Sequence, residues 1–162
     1  MEVKMLDIYD SETLVKIYRL LNKKCQAIDG FIKNHALNFG SCSAEFGTED
    51  VCNNIIELIT KKNQLINLKI ILDNAVNSLN DEDKKVIYVK MNYHLSMDEF
   101  CAVLELKERT AFRRIERAFT NLTVALNHSK YKEKLISIMN KEVWIARLRE
   151  DVKARRLAYR TA

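Results

Sequence analysis

The sequence predicts an all-α protein, and three observations carry that prediction. Proline is absent and only three glycines, Gly30, Gly40 and Gly47, occur in 162 residues, so the turn chemistry that sheets require is nearly missing. Apolar residues recur at spacings of three and four through most of the chain, the period of a helix with one buried face. Short oxygen-bearing side chains stand just ahead of several such runs, with acidic residues behind them, which is how helices begin. A chain of this length can bury a core without disulfide or metal staples.

Asp10 or Ser11 is the expected cap of a first long helix, in which Leu14, Ile17, Leu21, Ile28 and Phe31 share one stripe; this helix should end before Asn38. The stretch NFGSCSAEFGTED reads as a loop, because Gly40 and Gly47 tolerate positive φ and Ser41 and Ser43 compete for backbone hydrogen bonds. Thr48 is the expected cap of a second long helix, over about residues 50–79, with Glu49 and Asp50 in its first turn. Leu58, Leu65, Leu72 and Leu79 are spaced by sevens, and Leu68 and Ala75 fill alternate positions, so they form a heptad seam. Ile55, Ile59, Ile66, Ile70 and Ile71 make the apolar stripe wider than a simple zipper. The two long helices therefore pack as an antiparallel hairpin, or the seam also forms a homodimer.

Asn80 followed by Asp81, Glu82 and Asp83 marks the next helix start, with Val86, Ile87 and Met91 turned inward. The run Tyr93-His94-Leu95 interrupts it. Ser96 and Glu99 then form a capping box, each satisfying a free amide of the other, and Leu95 and Phe100 stand where a hydrophobic staple places them. Met97, Phe100, Cys101 and Leu104 give that helix one short face. A second face, Ala111, Ile115, Ala118, Phe119 and Leu122, begins about ten residues later, so two helices follow one another across a brief turn. With the helix that precedes them they form the arrangement of a helix-turn-helix unit. The remaining segment reads as one long basic helix with Leu135, Ile138, Ile145, Leu148 and Val152 on its apolar side, anchored by Trp144. The expected divisions are thus residues 1–79, a helical hairpin with a candidate dimerisation seam; 80–128, a helix-turn-helix unit; and 129–162, a basic amphipathic helix.

The net charge is +5, unevenly spread: residues 130–162 hold ten basic and four acidic groups, against 17 and 18 in the rest. Such a tail suits an acidic partner or a solvated helix equally. Cys25, Cys42, Cys52 and Cys101 lack the density of a secreted disulfide framework, so reduced thiols in the cytoplasm are expected. No stretch reaches the length of a membrane span, and the first residues do not resemble a signal peptide. His35, His94 and His128 are not at metal-ligand spacing, and neither a phosphate loop nor a nucleophile elbow is present. The expectation is a protein that is not an enzyme and uses no cofactor or metal.

Residues 107–117 are the informative stretch. Lys107, Glu108, Arg109 and Thr110 stand at the start of a helix, and Arg113, Arg114 and Arg117 follow on or beside one side. Arginine forks suit both guanine edges and phosphates, and in DNA-binding units the start of such a helix reaches bases while flanking cations meet the backbone. The alternative is an ordinary surface helix whose charges pair with each other at i, i+3 and i+4. Phe112 either touches a thymine methyl or, more simply, packs against the C-terminal helix.

The run SLNDEDKKVIYVKMNYHLSMDEFCAVLELKERTAFRRIERAFTNL resembles the fourth conserved region of bacterial sigma factors over roughly residues 64–126. Within that group it is most similar to phage and prophage regulators of the ArpU and RinA type, in which a long N-terminal helix leads into a sigma-like helix-turn-helix. The matching positions are Leu79, Asp81 to Asp83, Tyr93, Ser96, Glu99, Phe100, Cys101, Arg109, Thr110, Ala111, Arg113 and Ile115. The family favours glycine where this chain has Glu105 and serine where it has Lys107, so the turn should either adopt another geometry or carry strain. The N-terminal residues lack the aromatic cluster of a promoter-melting region.

The resemblance implies a sequence-specific transcriptional regulator that reads double-stranded DNA in the major groove. Glu108, Arg109, Thr110 and Arg113 would face bases, and Lys107, Arg114 and Arg117 would neutralise phosphates. Two alternatives stand beside it: a sigma-like module that binds RNA polymerase or another factor without reading DNA, and a phage DNA-packaging component like a small terminase subunit.

Overall fold

In a computed structural model, residues 4–38 and 47–161 are described. They form seven helices and no strand: α1 Ile8–Leu37, α2 Thr48–Asn77, α3 Asp81–Asn92, α4 Met97–Leu104, α5 Glu108–His128, α6 Lys132–Lys141 and α7 Val143–Thr161. The loop expected from Gly40, Ser41 and Ser43, together with Cys42, lies outside the described residues.

Helix α1 begins earlier than its sequence suggests. Asp7, not Asp10 or Ser11, is the cap: its carboxylate accepts from the Asp10 amide at 3.0 Å, and the Asp10 carboxylate accepts from the Asp7 amide at 2.9 Å. Asp10 is thereby free to meet Arg149 of α7, and Ser11, fully buried, bonds the Thr123 hydroxyl of α5 at 2.7 Å. Leu14, Ile17, Leu21 and Ile28 are buried as expected, but Phe31 is 58% exposed, and it is Ile32, four residues after Ile28, that packs against the core. Gly47, not Thr48, precedes α2 as its cap residue, with φ −62° rather than positive, and no side chain closes that end.

Helices α1 and α2 pack against each other, and the inner side of α2 is Leu65, Leu68, Ile71, Leu72 and Ala75. Leu58 and Leu79 are only partly buried at the edge of the same core. The isoleucines do not widen this buried stripe. Of those named from the sequence only Ile71 is inside, while Ile59, Ile66 and Ile70 face out. Helix α3 opens on Asn80, whose side chain accepts from the Asp83 amide at 2.9 Å, and buries Val86, Ile87 and Met91. Helix α4 has the expected Ser96–Glu99 box, and Phe100, completely buried, is its one fully inward side chain.

The C-terminal segment is two helices rather than one. At Glu142 the chain leaves helical geometry (φ −91°, ψ 99°), although no glycine or proline is nearby. The Glu142 amide still bonds the Ile138 carbonyl, and its own carbonyl accepts from Ile145 and Ala146 of the next helix. Its carboxylate is buried between the Trp144 indole N–H at 2.8 Å and Lys61 of α2 at 3.6 Å. The break lets α6 lie on α2 and α7 lie on α1, so Leu135, Ile138, Ile145 and Val152 all become buried. One continuous apolar core takes residues from the hairpin, from α3 to α5 and from α6 and α7.

Candidate nucleic-acid interface

Helices α4 and α5 are joined by Glu105, Leu106 and Lys107. Glu105 adopts left-handed backbone (φ 53°, ψ 44°), the only positive-φ residue other than glycine among those described. The Leu106 amide bonds the Cys101 carbonyl at 2.9 Å and the Glu105 amide bonds the Ala102 carbonyl at 3.3 Å, which together make a Schellman ending. The chain therefore keeps the geometry that glycine would favour, and the Cβ of Glu105 carries the strain. Leu106 then packs against the core, which sets where α5 starts.

Helix α5 buries Ala111, Ala118, Phe119, Leu122 and Leu126, with Ile115 partly buried beside them. On its outer side Lys107, Glu108, Arg109, Thr110 and Arg113 are exposed, and Arg114 is half-buried. Lys107 provides no side-chain cap, so the first amides of the helix point to solvent unbonded. Helices α2 and α6 also lack a side-chain cap, but α2 carries Glu49 and Asp50 in its first turn, and at α6 the Lys132 amide bonds the Ser129 carbonyl at 3.1 Å. By contrast α1, α3 and α4 are closed by Asp7, Asn80 and Ser96.

The five cations among the residues singled out from the sequence separate into two groups. Lys107, Arg109 and Arg113 make no ion pair among the described residues, and Arg114 lies near enough to Glu82 to help lower its carboxyl. Arg117 is instead bound to its own protein. Its guanidinium donates to Glu82 at 2.7 Å and to Asp83 at 3.1 Å, across from α5 to the first turn of α3. Asp83 is completely buried and also accepts from Asn121 at 2.6 Å and from Asn80 at 2.8 Å. Burial pushes its carboxyl up, but the bonds from Asn121, Asn80 and Arg117 outweigh that and hold it below the usual carboxylate range. Arg117 is correspondingly raised by its bonds to Glu82 and Asp83. This tie escaped the sequence reading, although the acidic first turn of α3 was the signal for it.

Phe112 is 51% exposed rather than packed on the C-terminal helix; α7 runs along α1, and its Arg156 bonds Glu116 of α5. Two arginines of the basic tail are likewise committed internally. Arg149 donates to Asp7 at 2.8 Å and to Asp10, and Arg156 links Glu12 of α1 with Glu116 of α5 at 3.0 Å. Arg147, Lys153 and Arg155 remain exposed.

No group of three or more histidine, cysteine or acidic side chains among the described residues is placed to hold a metal ion. No described helix is long and apolar enough to cross a membrane. Cys25, Cys52 and Cys101 are free thiols. Compared with protein-family models, with curated proteins and with solved structures, the chain finds no match in any of the three.

Proposed function

We propose that the protein is a sequence-specific DNA-binding transcriptional regulator, in which α3, α4 and α5 act as a sigma-like helix-turn-helix and α5 enters the major groove. The observation that carries this reading is the state of the cations. Arg117, Arg149 and Arg156 have carboxylate partners, whereas Lys107, Arg109 and Arg113, gathered on the outer face at the open end of α5, have none among the described residues. Unpaired guanidinium forks beside free helix amides are what a phosphate or a guanine edge requires. Glu108, Arg109, Thr110 and Arg113 are assigned to bases, with Phe112 added as a contact for a thymine methyl. Lys107 and Arg114 are assigned to phosphates, and Arg117 is taken off that list because it already holds α3.

Selection of sites from random DNA at two salt concentrations tests this reading. An enriched motif is expected, with affinity falling as salt rises. Arg113→Ala should cost about 1–3 kcal/mol and relax one position of the motif. An Arg113→Ala/Arg114→Ala variant that binds as tightly as wild type would remove the assignment. The exposed Val103 and Phe112, on neighbouring helices, favour a second reading in which the same unit docks on RNA polymerase. Purified polymerase binding without salt-dependent DNA binding would select it.

A further inference from the structure

Helix α2 has two apolar faces on opposite sides. One is the buried side described above. The other carries Ile56, Ile59, Ile66 and Ile70, which are 59%, 44%, 38% and 50% exposed, with Asn63, also exposed, in their midst. A helix that needed only to cover its own core would show water a polar face there. The order of these residues is a second heptad: Ile56, Asn63 and Ile70 fall at a positions and Cys52, Ile59 and Ile66 at d positions, with no ionised residue at either between residues 52 and 70.

We infer that this face is the interface of a parallel, in-register homodimer in which α2 of one chain pairs with α2 of a second. Three features select that occupant. The heptad is self-complementary, as a two-fold interface requires. Asn63 at a core position is costly against any apolar partner, but it is satisfied by its own copy when two chains run parallel and in register, and it specifies that register. The flanks agree. Lys62 and Lys69 lie on one side of the seam and Thr60 and Asn67 on the other. Parallel pairing sets lysine against amide, whereas antiparallel pairing would set lysine against lysine.

Both lysines are also drawn away from the seam toward α1, Lys62 to Asp29 at 2.6 Å and Lys69 to Asn22 at 3.2 Å. Because α1 already holds α2 in helical form, dimerisation does not have to offset the cost of ordering it. The seam from Cys52 to Ile70 spans about 27 Å, which suits a dissociation constant on the order of micromolar.

Sedimentation equilibrium of the full chain from roughly micromolar to roughly a hundred micromolar should show a mass rising from 18.9 kDa to twice that value. Ile59→Glu/Ile66→Glu should weaken association by more than about a hundredfold, since four isoleucines leave the interface of each dimer. Should that variant lose its helical circular dichroism, the thiols supply the second readout. Diamide oxidation of wild type should join Cys52 to Cys52 of the other chain, and Cys52→Ser should abolish the product. A wild-type monomer throughout the range, an association untouched in a folded double variant, or cross-linking that spares Cys52 would each overturn the inference. None of these outcomes bears on α5, and loss of DNA binding in Arg113→Ala/Arg114→Ala would leave the dimer standing.

Discussion

Glu105 shows how much one residue can carry. Left-handed backbone costs a residue with a Cβ roughly 1–2 kcal/mol, and glycine would recover most of that while adding some chain entropy to the unfolded state. Glu105→Gly should therefore stabilise the protein by about 0.5–1 kcal/mol and raise the thermal midpoint by about 1–4 °C, without changing the position of α5. A fall in the midpoint would mean that the glutamate side chain makes a stabilising interaction of its own. The position of this residue was legible, because the apolar pattern slips after Leu104. Which of the two expected outcomes it takes, another geometry or a strained left-handed one, was not, since nothing in a glutamate announces positive φ; the Schellman bonds from Leu106 and Glu105 impose the second. The same division holds for the arginines. Five cations in one stretch are visible to any reader, but only the fold places Arg117 against a buried carboxylate and leaves Arg113 without an ion pair among the described residues.

At the scale of elements, Asp83 is the joint between α3 and α5. Its amide donates to the capping Asn80 side chain, and its carboxylate accepts from Asn80 on its own side and from Asn121 and Arg117 of the other helix. Because its carboxyl titrates lower in the folded chain than in the unfolded one, its contribution is present above the unfolded value, near pH 4, and is lost as pH falls through the folded value. Asp83→Ala should lower stability by about 2 kcal/mol near neutrality, roughly 4–8 °C in thermal midpoint, and the gap to wild type should narrow as pH falls through the folded value. A gap that stays constant across thermal scans from neutral to acid would show that the loss is one of packing alone. Helix starts with strong local chemistry, at Asn80 and Ser96, were readable in advance. The break at Glu142 was not, because it depends on Lys61 of another helix and on an indole that folds back; the start at Asp7 rests on a local box with Asp10, three residues on, ahead of the apolar stripe that suggested a later one.

For the whole molecule, the two proposals combine into a geometric expectation. A parallel pair of α2 helices relates two copies of α5 by a two-fold axis, so a DNA site should contain inverted half-sites. Two-fold helix-turn-helix dimers place half-sites about one helical turn apart, roughly 34–36 Å, or a multiple of it. Sites selected from random DNA should show that symmetry at one fixed spacing. Ile59→Glu/Ile66→Glu should lose the spacing preference while keeping the half-site sequence. Selection of a single unrepeated motif by a demonstrated dimer would break the link between the two proposals. The same arrangement gives the basic tail a structural role: Arg149 and Arg156 fasten α7 to α1 and α5, which fixes the hairpin relative to the candidate recognition helix.

The sequence alone determined that the chain is helical, that helices begin at Asn80 and Ser96, and that cations crowd the start of α5. Those properties come from backbone capping, apolar period and composition, which act over a few neighbouring residues. Tertiary structure decided which of the two apolar faces of α2 is covered by its own chain and which is left outside. It also decided which arginines are paired, and that the tail bends at Glu142. Each of these depends on what lies opposite a side chain in space, and a periodic pattern of apolar residues is the same whether the partner is the next helix or a second molecule.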